Sequence, residues 1–195
     1  MRVAGFVLAG GRSCRMRRDK ALLQWRSRSL VETLAGCVKE AAGNVALIGN
    51  PELYSGLGFE CLPDLRAGQG PLAGIETALA SGRGELNLIA ACDMPGLEVQ
   101  WLKMLLLEAD ESRAECVATR DGKGQLHPLC AVYRDNCLVK VQNALDTGRL
   151  RTFNLLEELD TVVLETGQVL WNVNTPEEWR AWQAQQEGIG TTHGD

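Results

Sequence analysis

The chain has no Cys-x-x-Cys pair, although seven cysteines are spread along its 195 residues. Their wide spacing argues against a zinc site, and their odd number argues against a disulfide framework. Most lie in apolar surroundings and read as reduced, buried small hydrophobes, with Cys14 expected to be exposed. No apolar run approaches the ~20 residues that span a bilayer. No secretory leader is evident, since the first apolar run is short and flows into glycines. These absences predict a cytoplasmic protein with no membrane partner. An excess of positive charge is missing too. The net charge of −5 argues against a nucleic-acid partner. Internal repeats are absent, as is any linker that would mark a second domain. With 45% apolar and 23% charged residues, the chain reads as one domain with a substantial core.

The positive charge that is present is concentrated. Seven of the 20 Lys and Arg residues fall between Arg12 and Arg28. Two common phosphate-loop patterns are lacking there: no Gly-Lys-Ser/Thr tripeptide occurs, and no G-x-G-x-x-G follows the first strand. Instead, an apolar strand from Val3 to Ala9 runs into Gly10 and Gly11, then a loop with four arginines that ends at Asp19-Lys20. The glycines let backbone N–H groups approach an anion, and the cations can neutralise a polyphosphate. The segment reads as a nucleoside-triphosphate site on an acidic protein.

Strands and helices alternate along the chain, which predicts an α/β domain with a mainly parallel sheet. Strands are expected at 3–9, 45–48, 60–62, 86–91, 115–118, 129–133 and 161–164. Helices are expected at 29–42, 72–79, 99–109, 136–145, 152–159 and 176–186, with 188–195 a disordered tail. The apolar run Leu86–Ala91 reads as a central strand buried on both faces. Trp179 and Trp182, at i and i+3, read as helix packing rather than ligand contacts.

Ligands of open α/β sheets bind outside the carboxyl ends of the strands. The chain places Gly10 and Gly11, Asp64, and Asp93 at such ends. Asp93 follows the central strand directly, and one carboxylate facing phosphates suits Mg2+, so Asp93 is the candidate metal ligand. Lys20 can neutralise charge on a leaving pyrophosphate, with Arg15 as a charge clamp. Gly70, in Gly68-Gln69-Gly70-Pro71-Leu72-Ala73-Gly74, permits close backbone approach at a helix start.

The segment Leu8-Ala9-Gly10-Gly11-Arg12-Ser13-Cys14-Arg15-Met16-Arg17-Arg18-Asp19-Lys20 resembles the L-A-G-G-x-S-x-R-M-G-x-D-K signature of the molybdenum cofactor guanylyltransferases. It departs from that signature at Arg17, where the family has glycine. Asp93-Met94-Pro95 is similar to the family's D-x-P, Gly70-Pro71-Leu72-Ala73-Gly74 to its G-P-L-A-G, and His127-Pro128 to its H-P. Asn172-Val173-Asn174-Thr175-Pro176-Glu177-Glu178 is similar to its N-V-N-T-P-E-E.

The resemblance runs from Val7 to about Trp182. It implies a single three-layer α/β/α, Rossmann-like domain over 1–187, of the nucleotide-diphospho-sugar transferase (glycosyltransferase-A-like) type. The N-terminal part would bind GTP and the C-terminal part molybdopterin. By this resemblance GTP meets Leu8, Ala9, Gly10, Gly11, Lys20, Asn50, Asp64, Gly70 and Asp93. Molybdopterin meets His127, Asn172 and Asn174, whose amides suit a pterin's mixed hydrogen-bonding edge. Arg149 and Arg151 are cations that could meet the pterin's phosphate or lie in a surface turn. The implied partners are the two substrates and molybdenum cofactor delivery proteins. Open alternatives are a CTP-dependent molybdopterin cytidylyltransferase, a sugar-phosphate nucleotidyltransferase, or an inactive nucleotide-binding module.

Overall fold

A computed structural model describes residues 1–10 and 20–190. In chain order it contains β1 (Val3–Leu8), a 3-10 turn (Lys20–Leu22), β2 (Gln24–Trp25), β3 (Arg28–Ser29), α1 (Leu30–Ala42), β4 (Ala46–Ile48), α2 (Pro51–Tyr54) and β5 (Cys61–Leu62). There follow α3 (Pro71–Ala80), β6 (Leu86–Ala91), α4 (Val99–Ser112), β7 (Cys116–Arg120), β8 (Leu126–Arg134), α5 (Leu138–Asp146), α6 (Thr152–Glu158), β9 (Thr161–Glu165) and α7 (Pro176–Gly190).

Local chemistry explains several boundaries. Ser29 begins α1 in a capping box with Glu32: the Ser29 backbone N–H donates to Glu32 Oε2 at 2.8 Å, and Ser29 Oγ accepts from Glu32 N. The helix stops at Gly43, whose φ of 79° lies in the left-handed region. Gly70 (φ 72°, ψ −165°) turns the chain into α3 in a conformation essentially restricted to glycine, and Pro71 supplies a preset first helical φ.

The main sheet has the order β5-β4-β1-β6-β8-β7-β9. Within it β8 alone runs against its neighbours, pairing antiparallel with β6 and β7. Every other pairing in this sheet is parallel. From β1 the chain moves outward through β4 to β5, then returns to the other side of β1 as β6. The direction of winding therefore reverses at β1 and β6, the place where open α/β sheets form their ligand crevice.

Side chains alternate across the sheet into two cores. Val7, Leu88, Val117 and Val132 face α1 and α4, whose Val31, Leu34, Leu102 and Leu105 cover them. Phe6, Leu8, Ile89 and Tyr133 face α3, α5 and α6, covered by Leu72, Ile75, Val141 and Leu155. This makes three layers. A third cluster joins α7 to the β2–β3 ribbon: Trp179 and Trp182 stack at 5.1 Å, and Trp25 lies edge-on to Trp182 at 5.1 Å.

Three features differ from the expectations. The β2–β3 ribbon and α2 are too short to leave a periodic signal. The strand expected at Leu129 begins at Leu126 and carries an irregularity, with register passing from Ala118 opposite Ala131 to Thr119 opposite His127. Pro128, which has no N–H to donate, sits inside the irregular stretch. The last helix runs to Gly190 rather than ending at Gln186, so 188–190 are helical; 191–195 lie outside the described residues.

Candidate active site

The ends of β1, β4 and β6 and the start of α3 enclose a cavity of ≈ 210 Å³. Leu8, Ile48, Gly74, Ala91 and Leu129 form its apolar lining. Gly10, Lys20, Asp64, Gly70 and Asp93 supply polar backbone or side-chain groups. Gly74 is held by close packing, since a Cβ there would come within 3.0 Å of the Leu8 side chain. The loop carrying Asp64 is tied to α3: Leu65 N donates to Thr77 Oγ1 at 3.0 Å, and Arg66 Nε donates to buried Glu76 Oε1 at 3.2 Å. Burial raises the Asp64 carboxyl above its ordinary value of 3.8. A Cβ on Gly10 would lie 3.7 Å from Asp64 Oδ2, so the missing side chain opens space directly beside that carboxylate.

Asp93 lies in the turn after β6, where Cys92 N donates to Leu8 O at 3.1 Å and Met94 N to Ala91 O at 3.2 Å. Asp93 Oδ2 accepts from Lys20 Nζ at 2.6 Å, and both side chains are 16% exposed. Asp93 Oδ1 is buried and has no hydrogen-bond partner among the described residues. A buried carboxylate oxygen left over in this way is a cost unless something meets it. It fits a divalent cation that takes one or two carboxylates and fills its other positions with phosphates and water. No group of three His, Cys, Asp or Glu capable of caging a metal exists among the described residues.

Lys20 Nζ donates secondly to Asn174 Oδ1 at 3.0 Å, and Asn174 Nδ2 donates to Asn172 Oδ1 at 2.8 Å. This C-terminal segment is stitched to the sheet by Val173 N, which donates to the Asp93 carbonyl at 2.7 Å. A second cavity, ≈ 140 Å³, is lined by His127, Pro128, Thr152, Phe153 and Asn172 among others, and shares Asp93 and Leu129 with the first. His127 is buried, with Nε2 3.3 Å from Asp121 Oδ2. Burial alone would raise Asp121, but hydrogen bonds from Gln125 N and Lys123 N, with the His127 ring close by, outweigh it and hold the carboxyl below 3.8.

Residues 5–162 match the family described as MobA-like NTP transferase domain. The chain belongs to that family. A molybdenum cofactor guanylyltransferase from Xanthomonas euvesicatoria pv. vesicatoria is 36% identical over 183 residues, covering 90% of this chain and 91% of that protein. Among solved structures, molybdopterin-guanine dinucleotide biosynthesis protein A from Archaeoglobus fulgidus superposes with a TM-score of 0.78 at 20% identity, over 95% of this chain and 99% of that one. A 2-C-methyl-D-erythritol 4-phosphate cytidylyltransferase from Thermus thermophilus gives 0.71 at 17%, over 96% and 100%. The structural likenesses show the fold, a three-layer α/β/α domain with a mainly parallel sheet, and the family match makes the chain a nucleotidyltransferase.

In this MobA-like domain, the residues singled out from sequence for the nucleotide largely converge. Leu8, Gly10, Lys20, Asp64, Gly70 and Asp93 all line the first cavity. His127 and Asn172 line the second, while Asn174 reaches Lys20 between them. Two do not converge. Ala9 is buried, and its carbonyl accepts from the Tyr54 hydroxyl beneath the sheet edge. Asn50 is spent on capping α2, accepting from Glu52 N at 3.0 Å, and does not line the cavity. Gly11 and Arg15, with Arg17, lie outside the described residues. Asp121, Thr152 and Phe153 were missed. Asp121, in an Asp-Gly-Lys-Gly turn six residues before His127, looks from sequence like turn chemistry, which it also performs.

Proposed function

We propose that this chain transfers the guanylyl group of GTP to the terminal phosphate of molybdopterin, forming the guanine dinucleotide cofactor and pyrophosphate. The observation that carries the reading is the junction of the two cavities at Asp93, with Lys20 beside it. A transfer between two substrates needs their reacting ends brought together at one charged point. A phosphate oxygen of the pterin attacks the α-phosphorus of GTP, and the bond from that phosphorus to the bridging oxygen of the β-phosphate breaks, releasing pyrophosphate. The nucleophile is already an anion near neutral pH, so no protein base is required.

The residues act by position and charge. Lys20 donates to oxygens on which charge grows as pyrophosphate leaves. Asp93 would hold Mg2+ through the oxygen that has no protein partner, and the cation supplies charge neutralisation at the phosphates. Gly10 and Asp64 sit on the side suited to the base, and the space that the missing Gly10 side chain leaves beside Asp64 favours a purine. His127 and Asn172 line the cavity that takes the pterin, and Asn174 joins that side on the sequence resemblance alone. Gly11 and Arg15 join the nucleotide side on the sequence resemblance alone.

Cys37, Cys61, Cys116, Cys130 and Cys137 are free thiols, and burial pushes Cys130 up to about 11 and Cys137 to about 12. That chemistry suits a reducing cytoplasm, from which the product would pass to molybdenum cofactor delivery proteins. No helix among the described residues is long and apolar enough to cross a membrane. The test is turnover with molybdopterin and Mg2+, offering GTP or CTP and measuring pyrophosphate and the dinucleotide. Preferential GTP use is expected; preference for CTP, or no product with either, overturns the proposal.

A further inference from the structure

Within the function just proposed, one contact crosses the boundary between the two halves of the cleft. Asn174 belongs by sequence resemblance to the pterin side, yet its side-chain oxygen meets Lys20 on the nucleotide side at 3.0 Å. We propose that Asn174 is a positioning residue for the triphosphate half of the site, holding the Lys20 ammonium in place through its side-chain oxygen.

The hydrogen bonds leave one consistent arrangement. An ammonium has three donors and no acceptor, so the atom of Asn174 that faces Lys20 must be the oxygen. The amide nitrogen is then turned to Asn172 Oδ1, at 2.8 Å. Lysine's four-carbon stem is flexible and needs fixed acceptors to hold one position. Asp93 Oδ2 and Asn174 Oδ1 take two of its donors, leaving the third for a phosphate.

Asn174 is itself anchored. Its backbone N–H and that of Thr175 both donate to Glu178 Oε2, at 2.7 and 2.9 Å, while Thr175 Oγ1 accepts from Glu178 N at 3.2 Å. The Val173 N–H to Asp93 carbonyl bond pins the same segment beside the sheet end. A residue held this firmly can fix a lysine, whereas a mobile amide could not.

The experiment compares the parent with Asn174→Ala, Asn174→Asp and, as a control on α7, Glu177→Ala, whose exposed carboxylate pairs with Arg180. Without ligand, Lys20 is acylated by limiting acetic anhydride and followed by peptide mass, with Lys123 as internal reference. Loss of a charge-assisted acceptor should speed Lys20 labelling about five-fold in Asn174→Ala. Asn174→Asp keeps an acceptor oxygen and should label no faster than the parent, as should Glu177→Ala. Calorimetry with Mg2+ and GTP, and no pterin present, should show about ten-fold weaker binding for Asn174→Ala only among the parent, that variant and the control. Parental labelling of Lys20 in Asn174→Ala, or unchanged GTP affinity in it, overturns the proposal. A parent that binds no GTP sinks the guanylyl-transfer reading instead, and the labelling comparison then decides the role of Asn174 alone.

Discussion

Asp93→Asn separates a structural carboxylate from one that serves the reaction. In the parent, Asp93 Oδ2 receives Lys20 Nζ at 2.6 Å while Oδ1 is buried without a partner. The asparagine keeps the shape and one oxygen for Lys20. It loses a charge-assisted hydrogen bond, at a cost of about 1.5–3 kcal/mol, and puts an equally unpartnered amide NH2 where the buried carboxylate oxygen was. The lost hydrogen bond is therefore not offset, and the ligand-free melting temperature should fall by about 3–12 °C. The response to ligand should differ greatly. A Mg2+–nucleotide complex at 100 times its dissociation constant adds about 2.7 kcal/mol to the parent. For a chain of this size that is a rise of about 5–11 °C. The variant should show little of that rise, and its turnover should fall by about 10²- to 10³-fold, the range for loss of one electrostatic partner of the transition state. Thermal unfolding with and without Mg2+ and GTP, paired with pyrophosphate release, measures both. A variant that melts with the parent's ligand-induced rise and turns over normally would refute the metal assignment. One that melts with the parent in the absence of ligand would show that the Lys20 hydrogen bond adds no stability.

Lys20→Ala should lower turnover about 10²- to 10³-fold through loss of transition-state charge stabilisation; unchanged steady-state kinetics would make Lys20 a surface lysine. Gly10→Ala places a methyl group 3.7 Å from Asp64 Oδ2 and should shift the ratio of kcat/KM for GTP over CTP toward CTP, so an unmoved ratio sinks the purine argument. Asp64→Asn should raise the ligand-free melting temperature at pH 7 while weakening GTP binding. Burial raises the Asp64 pKa, so the parent loses stability as pH rises through the folded value and the asparagine does not; equal melting curves from pH 3 to 7 would contradict this. Asp121→Asn should destabilise by about 1–3 kcal/mol at pH 7 through lost hydrogen bonds to a charged acceptor. Because the Asp121 pKa is depressed, that difference should be full above 3.8 and shrink as pH falls through the lower folded value; a constant difference down to pH 2 would show that its charge is not involved.

The layered fold was legible because its strands carry strong signals. Leu86–Ala91 is apolar without interruption, as a strand between two helical layers must be, and Gly43 and Pro71 mark helix ends by backbone chemistry alone. The reversed strand was not legible: nothing in Leu126–Arg134 encodes its direction, which is set by pairing with β6 and β7. Asp93 and Lys20 could be found because each lies at a strand end or glycine loop where charge has no other use. Asn50 misled for a related reason. An asparagine before proline serves a helix cap as well as a ligand, and here the cap takes it. Asp121 was hidden the opposite way, since its turn role masks its contact with His127.

The tryptophans make the clearest case of packing in the service of a site. Trp179 and Trp182 read as helix packing, and they pack. Their third partner, Trp25, lies five residues after Lys20, across the 3-10 turn Lys20–Leu22. The same apolar cluster contains Val173, whose neighbours on either side are Asn172 and Asn174. The cluster therefore clamps two segments far apart in sequence, and each carries its polar residues at the edge of the clamp. Lys20 emerges on one side and Asn174 on the other, and they meet at 3.0 Å over Asp93. Non-directional burial of indole rings can supply the holding energy, but it cannot set an ammonium's position to a few tenths of an ångström. That is left to the hydrogen bonds from Val173 N to the Asp93 carbonyl and from Asn174 N and Thr175 N to Glu178. Affinity between the segments and register within the site thus come from different residues, which is why a helix that touches neither cavity by its apolar face still decides where the lysine points.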